Sequence, residues 1–553
     1  MTPVLTEKDY LFNIPVSLQS YLQGYTLPDV FDKTVARYGH RIAAYDGERS
    51  YTWQQWQEDA RAFATALANM GIGRGDVVGV HLPNSWEFLV AHVGIAMRGA
   101  VMLPLHMAHG EREISALLSR TQARVVITPD QFRGHQQSTL TQHLLETLPF
   151  LETIIVVGAQ RGSFSHPAMK DYHTLMEHGR QDSWQPVPVR PDDPFMLIAS
   201  SGTTSTRPKI CLHSHDGLLS NAWVTATEGQ ARPEDIILSG SPFTHLFGIL
   251  SVHISLLMGG GQSLIAYWNV MDFLERAQSS QATVIFAVPT QLRDMMNALD
   301  AHPHSYQLSV REIRTGGAAV PKELIAAVRQ HLNAGVVIQW GMSEIGSGIF
   351  TRPGVPDAIV GESVGRPAPG AEVRILIEGA PAPVGDIGDL YYRSPYLFHG
   401  YYGDPELTAE QVDAEAWLRT GDLASWNADG TIQYRGRATE TLNRGGLKFS
   451  ALEVESLLSD LPEIAQHAIL PRPDLRLGER ACLAVSFREG ASLTLQDICH
   501  HLEAKGLAKY KWPEELVVLE KLPTTPTGKI ARALLKEAVL EAERNKTSEG
   551  ASK

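Results

Sequence analysis

Short, continuously apolar segments that alternate with segments of helical periodicity constrain this fold most. Residues 76–82, 124–127, 153–157 and 282–288 read as buried strands, whereas residues 52–70 place apolar side chains at helical spacing. A strand that is apolar on both faces must be covered on both faces, and helices do this in parallel sheets. The pattern predicts an α/β fold.

The amino-acid composition and the predicted strand lengths change in the last third of the chain. Glycine and proline become dense near Gly361, with short strands predicted at 372–377 and 389–393, and a further α/β unit follows Arg437. A chain of 553 residues is too long for one hydrophobic core. We therefore expect a large N-terminal domain (1–436) of parallel α/β subdomains plus a β segment, and a small α+β domain (437–553). The polar tail from residue 543 is predicted to fray.

Charge and composition exclude several classes of protein. The net charge of -13 argues against a nucleic-acid binder. The longest apolar stretches fall short of the ~20 residues that a membrane span needs. Three widely separated cysteines disfavour a disulfide scaffold and fit the reducing cytoplasm. Charged residues precede any apolar stretch at the start, so no signal peptide is expected.

A loop rich in hydrogen-bond donors follows the apolar strand 195–199. Residues 200–209 contain six hydroxyl groups, Gly202, Arg207 and Lys209. Backbone N–H groups, hydroxyls and cations are the partners that a polyphosphate needs. It is not a Walker loop, because no glycine directly precedes Lys209 and no serine or threonine follows it. A Ser/Thr-rich surface loop is the alternative reading.

This loop resembles the signature loop of the adenylate-forming (AMP-binding) superfamily, which includes acyl-CoA synthetases, peptide-synthetase adenylation domains and luciferases. Other segments resemble that family's motifs in the same order along the chain: 242–248, 316–318, 340–344, 420–422, 436–437, 443–448 and 523–529. Such an ordered set identifies the chain as a member. The loop departs from the family pattern, because three residues instead of two separate Thr204 from Pro208 and Ile210 replaces a common glycine.

The resemblance implies a role for each matched residue. Lys529 is the catalytic lysine on a mobile small domain, Glu344 is catalytic and the magnesium ligand, and Ser343 contacts the α-phosphate. Trp340 stacks on adenine, and Asp422 accepts both ribose hydroxyls. The full set implied to bind ATP is Ser201, Gly202, Thr203, Thr204, Lys209, Gly316, Gly317, Ala318, Trp340, Asp422 and Arg437. The acyl pocket is implied at His245, Phe247, Gly341, Met342 and Gly346, the CoA channel at Gly445 and Gly446, and the hinge at Glu440.

The resemblance implies an acid–thiol ligase that uses ATP and magnesium to make an acyl-adenylate and then transfers the acyl group to CoA. Segments 476–480 and 507–513 resemble medium-chain and alicyclic acyl-CoA synthetases, so a fatty, alicyclic or aromatic acid is expected. Segment 443–448 equally resembles aryl-acid adenylating enzymes that load a phosphopantetheinyl carrier protein. A non-catalytic nucleotide-binding regulator is a third possibility.

Overall fold

The computed structural model describes residues 24–159, 164, 166–199, 209–444, 447–474, 476–525 and 528–550, without the side chains of 140, 443, 447, 448, 478, 543 and 545–550. The strands in these ranges are β1 Ile42–Asp46, β2 Arg49–Thr52, β3 Val77–Val80, β4 Val101–Pro104, β5 Val125–Pro129, β6 Gln131–Phe132, β7 His135–Gln136, β8 Thr153–Val157, β9 Met169–Asp171, β10 Pro194–Ala199, β11 Ile210–Ser214, β12 Ile236–Ser239, β13 Gly261–Ser263, β14 Val284–Phe286, β15 Glu312–Gly316, β16 Gly335–Met342, β17 Gly346–Phe350, β18 Arg366–Pro367, β19 Glu372–Ile377, β20 Ala380–Pro381, β21 Gly388–Arg393, β22 Leu418–Trp426, β23 Ile432–Arg437, β24 Thr441–Arg444, β25 Leu447–Ser450, β26 Ile464–Asp474, β27 Gly478–Phe487 and β28 Glu515–Val518.

The helices of the described residues are α1 Leu27–Tyr38, α2 Trp53–Asn69, α3 Trp86–Met97, α4 Glu111–Thr121, α5 Gln137–Thr147, α6 Tyr172–Gln181, α7 His215–Glu228, α8 Leu246–Met258, α9 Val270–Ser279, α10 Pro289–Ala301, α11 Lys322–Leu332, α12 Asp357–Val360, α13 Pro405–Gln411, α14 Ala451–Leu458, α15 Leu495–Ala504 and α16 Arg532–Gly550. Short 3₁₀ turns span Ala438–Glu440 and Lys509–Lys511.

Two mostly parallel sheets dominate the large domain, as the apolar strand segments predict. In the described residues one sheet has the order β18-β17-β16-β15-β14-β12-β13-β1-β2, and the other has the order β11-β10-β4-β3-β5-β8-β9. Antiparallel pairs occur only at their edges among these strands, at β1–β2, β16–β17–β18 and β10–β11. The predicted α/β architecture is therefore confirmed.

The later part of the chain forms two smaller sheets. Strands β19 to β23 make an antiparallel sheet, which is the predicted β segment, and β24 to β28 make a sheet covered by α14, α15 and α16. The predicted domain boundary after residue 436 falls one residue before the end of β23 and stays a prediction. We call residues up to 436 the large domain and the rest the small domain.

Local sequence explains where the helices begin. Thr52 and Gln55 exchange hydrogen bonds in a capping box at the start of α2, and the Ser85 hydroxyl accepts the backbone N–H of Phe88 at the start of α3. Buried rings, including those of Trp53, Trp56 and Phe63, then fix α2 in the largest hydrophobic core.

The prediction of a frayed tail is wrong for residues 543–550. This stretch continues α16 to Gly550. Glu, Ala, Arg and Lys are strong helix formers, and the apolar face of α16, with Leu535 and Val539 fully buried, anchors the helix on the small domain. No helix in the described part of the chain is both long and apolar enough to cross a membrane.

Candidate active site

Lys529 lies on a tight turn that faces the large domain. The backbone N–H of Thr525 donates to the Lys529 carbonyl at 2.6 Å, and the Lys529 N–H donates to Thr525 Oγ1 at 3.2 Å. Gly528 has φ +81°, a conformation that glycine adopts without strain. A Cβ at residue 528 would lie 3.2 Å from Oγ1 of Thr290 in α10, so the turn rests against the large domain.

The Lys529 side chain lies against Gly317, just beyond the end of β15. A Cβ at residue 317 would lie 2.9 Å from Cε and 3.1 Å from Nζ of Lys529. The neighbouring Gly316 is required for a different reason, because a Cβ there would lie 2.1 Å from the Gln339 carbonyl oxygen on the paired strand β16. The two glycines permit close approach of a lysine on one side and of a strand on the other. Ala318 is exposed beside them.

Asp422, the predicted ribose acceptor, is a buried carboxylate with partners on both oxygens. Its Oδ2 accepts the indole N–H of Trp340 at 2.9 Å, and its Oδ1 lies 3.1 Å from Nε of Arg437. Strands β22 and β23 set this ion pair, since Asp422 and Arg437 are paired in register. Oδ1 makes no aligned hydrogen bond with the described residues, so it can accept one from a ligand.

Trp340 is buried, and its ring centroid lies 5.9 Å from that of Tyr392. Its indole N–H orients Asp422, a role that sequence reasoning missed because β16 and β22 are far apart in the chain. The prediction that Trp340 stacks on adenine stays a prediction.

The charges in this cleft alter one another's protonation. Loss of hydration lowers the pKa of Lys529, the Arg437 cation lowers it further, and Asp422 opposes both. Burial raises the pKa of Asp422, while Arg437 and the Trp340 N–H oppose that rise. These mutual effects place Lys529, Arg437 and Asp422 in one electrostatic site between the two domains.

His245 directly precedes α8 and is close enough to Lys529 to interact with it electrostatically. Burial first, and then His106 and Lys529, lower its pKa to about 3, so the ring is neutral near pH 7. The His106 ring lies 5.3 Å from His245, and both Nε2 atoms lack a hydrogen-bond partner among the described residues. Sequence reasoning missed His106 and His109, although both follow the end of β4, an edge where sites form in parallel sheets.

A three-residue turn carries Ser343 and Glu344. It joins β16 to β17, with Met342 paired to Gly346, and Gly346 has φ +81°. A Cβ on Gly341 would lie 1.7 Å from the Gly346 carbonyl oxygen, so no side chain fits there. The turn therefore depends on both glycines.

Glu344 is buried, and one of its two carboxylate oxygens accepts a hydrogen bond from the described residues. The Tyr401 hydroxyl donates to its Oε1 at 2.8 Å, and burial raises the Tyr401 pKa, as does the Glu344 charge. Oε2 of Glu344 receives no hydrogen bond from the described residues. The exposed Lys209 lies nearby, with its Nζ 5.5 Å from the centroid of the Tyr401 ring. Sequence reasoning missed Tyr401; its place in the glycine-dense part of the chain that begins near Gly361 was the available signal.

His213 fixes the neighbouring residue. Its Nε2 lies 2.7 Å from the Ser343 carbonyl oxygen, which can only accept, so Nε2 carries the proton. Burial lowers the His213 pKa to about 4 and leaves the ring neutral.

A small cavity lies beside this turn. Its apolar lining comes from Leu218, Leu246, Ile249, Leu250 and Ile345, and its other lining residues are His213, Gly217, Asn221, His253, Gly346 and Tyr396. Of the predicted pocket residues, Gly346 lines this cavity, whereas His245, Phe247, Gly341 and Met342 do not. Phe247 instead packs against Phe286, with ring centroids 5.3 Å apart.

Other predicted residues can be placed only in part. Ser201, Gly202, Thr203, Thr204, Gly445 and Gly446 lie outside the described residues. Glu440, the predicted hinge, ends the 3₁₀ turn Ala438–Glu440, and its Oε1 lies 3.1 Å from Nε of Arg532. Its role as a hinge stays a prediction.

Comparison with known families decides the class of this site. Residues 31–402 match the AMP-binding enzyme family, and residues 453–529 match the C-terminal domain of AMP-binding enzymes. The chain belongs to the AMP-binding enzyme family. Membership confirms the predicted family and, with the relatives described next, the prediction of an AMP-forming acid–thiol ligase.

Relatives of similar length support this assignment. The chain is 30% identical over 532 residues to a salicylyl-CoA synthase / salicylate adenylyltransferase of Streptomyces sp, covering 94% of each chain. It is 29% identical to the salicyl-AMP ligase / salicyl-S-ArCP synthetase of Mycobacterium tuberculosis (strain ATCC 25618 / H37Rv), covering 94% of this chain and 91% of that protein. Its fold is similar to that of the anthranilate CoA ligase AuaEII in complex with anthranoyl-AMP, with a TM-score of 0.84, 24% identity and coverage of 93% and 97%.

Proposed function

We propose that this enzyme activates a compact aromatic or alicyclic carboxylic acid with ATP and transfers the acyl group to CoA. The observation that carries the proposal is the position of Lys529 against Gly317, where it shares one cleft with Asp422, Arg437 and His245. A cation held between two domains is suited to a reaction in which two anions must meet.

In the first half-reaction a carboxylate oxygen of the acid attacks the α-phosphorus of ATP. A bond forms between the carboxylate oxygen and the α-phosphorus. The bond from the α-phosphorus to the oxygen that bridges to the β-phosphate breaks, so that pyrophosphate leaves. Lys529 stabilises the negative charge that develops in the transition state. Asp422, oriented by Trp340 and Arg437, holds the ribose hydroxyls and aligns the α-phosphate with the acid.

The Glu344 carboxylate fits magnesium. A buried carboxylate with one oxygen held by Tyr401 and the other without a donor among the described residues supplies the hard oxygen ligand that Mg²⁺ prefers. Bound there with ATP, the metal would neutralise phosphate charge. Ser343 and Lys209 flank Glu344 and are proposed to contact the phosphates.

In the second half-reaction the CoA thiolate attacks the acyl carbon, a C–S bond forms, and AMP leaves with the electrons of the C–O bond. The small domain is proposed to turn at Glu440 between the half-reactions. Gly445 and Gly446 are proposed to line the channel for the thiol.

The size of the cavity argues for a compact acid. The cavity volume is only about 10 Å³, far below the ~300–1,000 Å³ typical of ligand sites. The cavity must therefore enlarge to admit an acid, and it would need to enlarge less for one ring than for a long acyl chain. We retain the cytoplasm as the proposed location, because three cysteines in 553 residues suit a reducing compartment.

ATP–pyrophosphate exchange over a panel of acids tests the proposal. Benzoate, cyclohexanecarboxylate, octanoate, palmitate and phenylalanine form a suitable panel. We expect one of the two ring acids to give the highest kcat/KM. Highest activity with palmitate or phenylalanine would contradict the proposed acid, and no exchange with any acid would contradict the adenylation activity.

A second assay identifies the thiol. The salicyl-S-ArCP synthetase relative favours a carrier protein as the alternative acceptor. The best acid is incubated with ATP and either free CoA or a phosphopantetheinylated aryl carrier protein. Acyl-CoA formation supports the proposal, and acylation of the carrier protein alone would assign the enzyme to the alternative.

A further inference from the structure

The cavity beside the Ser343–Glu344 turn, which the proposed function assigns to the acyl group, is lined by two histidines, His213 and His253. His213 lies at the phosphate end, against Ser343. His253 follows His245 by eight residues in α8, or ~12 Å along the helix axis. The other polar lining groups are satisfied within the protein: Asn221 uses both amide atoms on the backbone of Ser347, and Tyr396 donates to the Pro369 carbonyl.

His253 belongs to a buried chain of hydrogen bonds that runs away from the cavity. Its Nε2 lies 3.0 Å from Nε2 of His92, and Nδ1 of His92 lies 3.3 Å from Sδ of Met102. Both rings are fully or almost fully buried. Burial lowers the pKa of His253 to about 3 and that of His92 well below its usual value, so both are neutral near pH 7.

The chemistry of Met102 fixes the proton on each ring. A thioether sulfur can only accept, so Nδ1 of His92 carries the proton and Nε2 of His92 has the lone pair. Nε2 of His253 must then donate to it, which leaves Nδ1 of His253 as a hydrogen-bond acceptor. This Nδ1 receives no hydrogen bond from the residues that the structure describes.

We propose that His253 is a specificity-determining residue that accepts a hydrogen bond from a hydroxyl or amino substituent on the acyl group. This inference rests on the proposed function, because it assigns the cavity to the acyl group. Leaving a buried acceptor unpaired costs free energy, and a donor on the substrate removes that cost. Sites built in this way discriminate strongly against analogues that lack the donor.

The test compares acids that differ only in the donor. ATP–pyrophosphate exchange is measured with benzoate, cyclohexanecarboxylate and the 2-, 3- and 4-hydroxy, amino and methoxy derivatives of whichever ring reacts better. With the wild-type enzyme, kcat/KM for at least one hydroxy- or amino-substituted ring acid should be about tenfold or more above the value for the unsubstituted acid. It should exceed the value for the corresponding methoxy acid by the same factor, as a recovered hydrogen bond implies.

Two variants test whether His253 causes the preference for acids that carry a hydrogen-bond donor. His253→Leu should reduce this preference to within about twofold of unity, with the KM for ATP unchanged. Met102→Leu conserves volume but removes the sulfur that fixes the His92 proton, so it should retain activity and lose part of the preference. His178→Leu, at an exposed helical histidine, is the matched control and should keep all of it.

The outcomes separate the two proposals. Two results would overturn the role of His253 alone: exchange by the wild-type enzyme without a preference for donor substituents, or a preference that survives in both His253→Leu and Met102→Leu. If His253→Leu does not fold, an unchanged preference in Met102→Leu is enough to overturn it. Absence of exchange with every acid would instead overturn the proposed function.

Discussion

Nε of Arg532 lies 3.1 Å from Oε1 of Glu440, so the first turn of α16 is tied to the segment at which the small domain begins. The same guanidinium donates to Glu455 at 2.8 and 2.9 Å and to the Ile469 carbonyl at 2.7 Å. Arg532 is thus fixed within the small domain, and Glu440 is the partner that rotation about the proposed hinge would release.

Glu440→Gln removes the charge from this pair. Because the pair is present when Lys529 contacts Gly317, we expect pyrophosphate exchange to fall about two- to fivefold, as for a partly exposed ion pair, while thioester formation from supplied acyl-adenylate is unchanged or faster. Glu453→Gln, at a more exposed pair with Lys511, is the control. Equal loss of both half-reactions would argue against a hinge at Glu440.

Lys529→Ala should reduce adenylation ~10²–10³-fold, the usual effect of losing a group that stabilises the transition-state charge. Thiolysis of supplied acyl-adenylate should persist, because the C–O bond of the adenylate breaks without that contact. The two rates are measured separately, with the exposed Lys521→Ala as control. A parallel loss of both rates would indicate that Lys529 has another role.

Trp340→Phe removes the indole N–H that favours the ionised form of Asp422. The Asp422 pKa is already raised by burial, so it should rise further, and the acidic limb of kcat/KM for ATP should move to higher pH. The KM for ATP should increase about tenfold, the effect of one hydrogen bond to a charged group, with the KM for the acid unchanged. Trp417→Phe, at another buried indole, should leave the pH profile unaltered.

Tyr401→Phe removes the hydrogen bond to Glu344 Oε1 and leaves both carboxylate oxygens without a donor from the part of the chain that the structure describes. The carboxylate then loses its fixed orientation, and we expect a higher magnesium concentration for half-maximal exchange, by about three- to tenfold. Titration with MgCl₂ at fixed ATP measures it, and Tyr391→Phe in β21 is the control. An unchanged magnesium requirement would argue that Glu344 does not bind the metal.

Buried histidines should make the fold sensitive to acid. Burial lowers the pKa of seven of them from 6.5 to about 3 or 4: His81, His106, His213, His215, His245, His253 and His399. Between pH 6.5 and about 4 the unfolded chain takes up protons that the folded chain does not, so the free energy of unfolding falls as the pH falls. Each histidine contributes up to about 1.4 kcal/mol per pH unit.

Urea unfolding at pH 7.5, 6.5, 5.5 and 5.0 measures this dependence. We expect little change above pH 6.5 and a steep loss below it. The exposed His178→Gln should show the same profile as the wild type. A constant free energy of unfolding down to pH 5 would contradict the neutral state of these rings.

Motif spacing predicted those parts of the candidate site whose geometry depends on the local backbone. The turn at Lys529, the glycines at 316, 317, 341 and 346, and the carboxylates at 344 and 422 are tied to local geometry that neighbouring residues fix. The contacts of Trp340 with Asp422 and of Tyr401 with Glu344 could not be predicted in this way. They join residues that are 82 and 57 positions apart in the chain, and only the tertiary fold brings them together.

The sequence by itself determined the α/β class, the family and the identity of the charged groups, because apolar periodicity and local turn chemistry are properties of short segments. Tertiary structure alone decided which side chains line the cavity and which ring nitrogens of His92 and His253 carry a proton beside the Met102 sulfur. Those properties depend on side chains from α3, β4 and α8, and burial sets their pKa values and tautomers only after the helices and the sheet have packed together.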